Sequence, residues 1–136
     1  MMKQTIFLLF ILASLNAMSQ DITHANISWQ VSRMSDMNTG AFDEPGGRLL
    51  SYGNTRVEWR DANGALKQSF AIQETNGVWS NVATNGTILY EAESDGKECS
   101  ITFVRDGSAL RATIIVLPDN GLPLIYEFSL KYFITL

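Results

Sequence analysis

Six Asn-Gly or Asp-Gly pairs punctuate this 136-residue chain: Asn63-Gly64, Asn76-Gly77, Asn85-Gly86, Asp95-Gly96, Asp106-Gly107 and Asn120-Gly121, at intervals of 9 to 14 residues. A two-residue hairpin turn of type I′ needs positive φ at both central residues, a conformation that Asn, Asp and Gly tolerate best. The segments between the pairs are apolar and β-branched, so the pairs predict hairpin turns between short strands. Consecutive tight hairpins leave little choice of topology: the chain must meander.

Successive segments alternate apolar and polar residues, the pattern of half-buried strands. Ile27, Trp29 and Val31 alternate with Ser28, Gln30 and Ser32; Val57 and Trp59 with Arg56, Glu58 and Arg60. Leu66, Phe70 and Ile72 oppose Lys67, Ser69 and Gln73, and Ile88, Tyr90 and Ala92 oppose Glu91 and Glu93. The same pattern runs through Cys99, Ile101 and Phe103, through Leu110 to Val116, and through Leu124, Tyr126, Phe128 and Leu130 against Glu127, Ser129 and Lys131. A further strand is expected from Arg48 to Tyr52. The phase of Val78 to Val82 stays open, so Trp79 is either core or surface. The fold class is therefore all-β, an antiparallel up-and-down meander of eight or nine strands. Closure into a barrel removes the exposed edges of such a sheet. The alternative is a two-sheet sandwich, whose Greek-key crossovers dense tight turns disfavour.

The first strand is followed by a long connection from Met34 to Gly47. Long loops in small folds are often functional, and Met34, Met37 and Phe42 suit a flap over an open barrel end. The other reading is a connector whose apolar residues tuck against the barrel wall.

Residues 1–19 have the composition of a signal peptide: Lys3, an apolar run from Ile6 to Leu12, and small residues at Ala17 and Ser19. That run is shorter than the ~20 residues a membrane span needs. Export is expected, with cleavage near Ser19-Gln20, no stable membrane anchor, and a periplasmic or secreted single domain over 20–136. The formal charge of −4 falls by one more unit when Lys3 is lost. With no basic cluster, nucleic acid is a poor partner. Cys99 is the lone cysteine and shares the phase of Ile101 and Phe103, which predicts a buried thiol.

In its Trp29 on the first strand, the long loop after it and the meander that follows, the chain resembles the calycins, the superfamily of lipocalins and fatty-acid-binding proteins. Lipocalins carry Gly-x-Trp on that strand; Ile27-Ser28-Trp29 stands here, without the Gly. The resemblance implies a bacterial-type, lipocalin-like barrel that binds a small hydrophobic molecule without chemistry. It also implies a late basic residue on the Trp, Lys131 or Arg111.

The expected ligand lining is Trp29, Trp59, Phe70, Tyr90, Phe103, Tyr126 and Phe128, with Met37 and Phe42 at the mouth. An eight-stranded barrel is just wide enough for one small ligand, and these bulky side chains could equally fill it. A filled barrel would act as a protein-interaction module, for example inhibitor-like, through loops or an exposed Trp79. Tyr90 and Tyr126 favour a ligand, because buried hydroxyls need partners. Catalytic and metal-binding residues are not expected, nor is a cofactor. His24 is the only histidine and lies ahead of the first strand. Glu91 and Glu93 share the outward phase, which predicts a solvated face, and Asp36, Asp43 and Glu44 do not have the spacing of a calcium loop.

Overall fold

The computed structural model describes residues 21–43 and 47–136, leaving the side chains of Phe42 and Asp43 aside. The expected signal peptide and its cleavage point lie outside the described residues. The strands are β1 (Asn26–Asp36), β2 (Phe42–Asp43), β3 (Arg48–Tyr52), β4 (Arg56–Arg60), β5 (Leu66–Asn76), β6 (Gly86–Ser94), β7 (Lys97–Asp106), β8 (Ala109–Leu117) and β9 (Leu124–Thr135). Neighbours pair antiparallel in the order β2-β1-β3-β4-β5-β6-β7-β8-β9, and β1 also pairs with β9. That pairing runs from Ile27↔Thr135 to Asp36↔Tyr126 and closes eight long strands into a barrel. The two-residue β2 lies beside β1 beyond the end of β3. The meander and its closure are thus as expected, and the sandwich is excluded.

The turns are more varied than the six pairs predict. Asp95-Gly96 forms the expected two-residue turn, with both residues at positive φ (52° and 76°) between the paired Ser94 and Lys97. At the next hairpin the central residues are Gly107-Ser108, one place later than expected, because Asp106 still pairs with Ala109. Asn63-Gly64 lies in a five-residue loop that the Asp61 carboxylate organises, accepting from the amides of Asn63 and Ala65. Asn76-Gly77 and Asn85-Gly86 bracket a single loop, so Val78 to Val82 is not a strand.

Alternation carries the core inward, with three local exceptions, one of them a shift between β5 and β6 beside Gln73. Register shifts between β1 and β9 at Gln30 to Arg33 reverse the phase of both strands. Met34 therefore points inward where Ser32 and Arg33 intervene, and Phe133 replaces the expected next position on β9. A shift between β4 and β5 beside Arg60 leaves Leu66 half exposed rather than inward. Cys99 is a buried free thiol, as expected.

One outward carboxylate is buried. Glu58 accepts hydrogen bonds from Arg60 (3.0 and 3.2 Å), Arg56 (3.4 Å) and Tyr52 (3.3 Å). Burial pushes its carboxyl pKa up, but the hydrogen bonds and charge of Arg60, then of Arg56, outweigh this and hold it below the usual glutamate range. A lowered folded-state pKa stabilises the fold above the unfolded value, about 4.3, and the stabilisation is lost as pH falls through the folded value. Glu58→Gln is expected to cost about 1 kcal/mol at pH 7. In urea melts the cost should fade below about pH 4; a pH-independent difference would rule out the ion pairs as its source.

Candidate functional site

The two ends of the barrel are built differently. One end gathers the start of β1, the loop between β5 and β6, and the ends of β7 and β9. There Ile22, Trp79 and Val82 are all buried. Trp79, 2% exposed beside an 84% exposed Val78, is held by its Nε1 donating to the Thr84 carbonyl at 3.0 Å and by its own carbonyl accepting from the Ile22 amide. Asn81 shapes this loop by accepting from the Ala83 amide through Oδ1. The Trp79 ring stacks on Trp29 at 6.0 Å between centroids, and Trp29 also meets Phe103 at 4.9 Å and Phe133 at 5.7 Å. Trp29 Nε1 donates to the buried Ser51 hydroxyl at 2.9 Å. Aromatic edges and faces at these separations attract beyond their buried area, and the group forms a plug.

The basic residue beside this plug is Arg105. Its Nε donates to the Val82 carbonyl at 2.9 Å and its guanidinium lies 5.9 Å over the Phe133 ring. Lys131 and Arg111, the expected partners of Trp29, are exposed instead. Lys131 falls at the point where β9 changes phase, and Arg111 is on the outward phase of β8.

The other end gathers the ends of β1, β4 and β8 and the start of β9. Trp59 meets Tyr126 at 5.2 Å and the edge of Phe128 at 5.1 Å. Inward-phased Met34 and Tyr126 are only partly buried here, and Leu124 is exposed, so solvent reaches the inner wall. Burial, and then the negative charge of Asp36, raise the Tyr126 pKa; its hydroxyl stays protonated at neutral pH. Lys67 Nζ sits 4.5 Å over the Trp59 ring. The turn after β1 is fixed to the loop between β8 and β9 by Asn38, whose Nδ2 donates to the Pro123 carbonyl (2.9 Å) and whose Oδ1 accepts from the Ile125 amide (3.0 Å).

The expected lining therefore divides. Trp59, Tyr126 and Phe128 come together at the accessible end. Trp29 and Phe103 belong to the plug at the opposite end. Phe70 and Tyr90 are fully buried inside the barrel, Tyr90 meeting Phe103 edge to face at 6.3 Å. Met37 is 52% exposed on the turn after β1, and its amide donates to the Ile125 carbonyl. The described part of the Met34 to Gly47 segment is a hairpin arm paired through Met34↔Asp43 and Ser35↔Phe42 in place of a free flap. The Phe42 side chain lies outside the described residues. Sequence reasoning missed Ile22, Phe133 and Ser51, and left Trp79 open. A strand-period reading holds no sign of a plug made by a loop.

The groups weighed for chemistry lie apart. His24 is exposed in a defined turn, 3.5 Å from Asp21. Glu91 and Glu93 are exposed on the outer wall, as their phase predicts. Asp36 caps its turn by accepting from the amides of Asn38 and Thr39. Among the described residues no group of three His, Cys, Asp or Glu side chains could hold a metal ion. No protein-family model matches the chain, and no curated protein matches it in sequence.

Proposed function

We propose that the protein is an exported, non-enzymatic, lipocalin-like carrier that holds a small hydrophobic molecule in its barrel. The observation that carries this reading is the asymmetry of the ends: one is plugged, while at the other inward-phased Tyr126, Met34 and Leu124 are open to solvent above the buried Trp59. A barrel that served only as a solid scaffold has no need of a half-buried inward tyrosine, Tyr126, at its rim. Burying apolar ligand area there yields about 25 cal/mol per Å². Trp59→Ala is expected to weaken binding of the neutral dye N-phenyl-1-naphthylamine about tenfold while the variant still unfolds cooperatively. Unchanged affinity would move the site elsewhere, and loss of the folded state would make Trp59 core.

A second reading is a protein-interaction module. Exposed Met37, Leu122 and Leu124 flank the residues joined by the Asn38 staple and favour it. Trp79 does not carry such a contact, because it is buried in the plug.

A further inference from the structure

Tyr90 Oη is the one buried side-chain nitrogen or oxygen with no hydrogen-bond partner among the described residues. The other buried side-chain nitrogens and oxygens among the described residues have partners. Trp29 Nε1 has Ser51, Trp79 Nε1 has the Thr84 carbonyl, and the buried Ser94 hydroxyl donates to the Ser69 carbonyl at 2.7 Å. Tyr90 is fully buried and inward, level with Thr75 on β5 and Ile101 on β7. Leaving such a hydroxyl unpaired in an apolar interior is unfavourable. Phenylalanine would give the same ring packing against Phe103 without that cost.

We propose that Tyr90 is the specificity-determining residue of the barrel, its hydroxyl donating one hydrogen bond to a neutral oxygen, such as a carbonyl, ester or ether, of an otherwise apolar ligand. This rests on the ligand-binding reading above. Burial, reinforced by the negative charge of Asp21, pushes the Tyr90 pKa well up, so the group is a neutral donor. Among the described residues no cation acts on Tyr90, so an anionic head group there would meet no counter-charge. Arg105 is engaged by the Val82 carbonyl and the Phe133 ring at the plug, and Lys67 is exposed over the Trp59 ring at the opposite end. A carboxylate desolvated without a partner is strongly disfavoured. The ligand class is therefore an uncharged, weakly polar molecule rather than a free fatty acid.

The test titrates the wild-type protein and Tyr90→Phe with octan-2-one, n-octane and octanoate, following intrinsic tryptophan fluorescence, and compares thermal melts without ligand. The wild type is expected to bind the ketone about tenfold more tightly than the alkane and more tightly than octanoate. Tyr90→Phe should bind ketone and alkane alike and melt at the same or a higher temperature. A ketone preference that survives in Tyr90→Phe, or octanoate binding at least as tight as the ketone, would overturn the role of Tyr90 and leave the carrier reading standing. A Tyr90→Phe melt well below the wild type would show a structural partner for the hydroxyl and overturn it equally. A wild type that binds none of the three would remove the carrier reading itself, and this inference with it.

Discussion

Trp29→Ala is expected to lower the free energy of unfolding by about 3–5 kcal/mol. The residue is fully buried, and its indole touches Trp79, Phe103 and Phe133 at once. Truncation opens a cavity bounded by three rigid rings. Two of them are fixed on strands β7 and β9, and Trp79 is tied to Thr84, so the gap cannot collapse. The substitution also strips the Ser51 hydroxyl of the donor it faces, adding the penalty of a buried polar group left unpaired. Domains of this size have only about 5–15 kcal/mol of stability in total, so the variant should populate unfolded chains at 37 °C. Urea unfolding followed by circular dichroism measures the change. A loss below about 1 kcal/mol would show that this end is not the plug described.

Gly86→Ala is expected to cost about 1–3 kcal/mol although it adds a single methyl group. A Cβ at this position would overlap Cδ1, Nε1 and Cγ of the Trp79 indole. The ring has no easy retreat, since Trp29 stacks against it and its Nε1 is bonded to the Thr84 carbonyl. The loop must therefore lift. The expected signature is a red-shifted tryptophan emission together with a lower melting temperature. An unshifted spectrum at full stability would mean that Trp79 does not seal the barrel.

These two positions also show what the sequence discloses and what it hides. The meander was legible because strand period holds through β6, β7 and β8 and every change of direction falls at or near a turn residue, and inward phase correctly placed Trp29, Trp59, Phe70, Tyr90, Phe103 and Phe128. The end plug was not. The Asn85-Gly86 pair reads as a hairpin turn, yet Gly86 opens β6 and is small because an indole lies against it. Trp79 sits in a loop, where alternation carries no information about burial. The bulges near Val31 and Lys131 hid Phe133 and Met34, since one extra residue exchanges the two faces of a strand. The division of the lining into a plug and an accessible end depends on contacts between residues far apart in the chain, such as Trp59 with Tyr126, and no local pattern encodes them.

The most direct measurement of the carrier reading is native mass spectrometry of the protein purified from its own cellular compartment or medium, followed by exposure to a mixture of neutral lipids and small metabolites. The expected result is an added mass of one small, uncharged, weakly polar molecule, retained on the folded protein and lost on denaturation. A bare polypeptide mass both before and after exposure would contradict it and leave a filled barrel that acts through its surface.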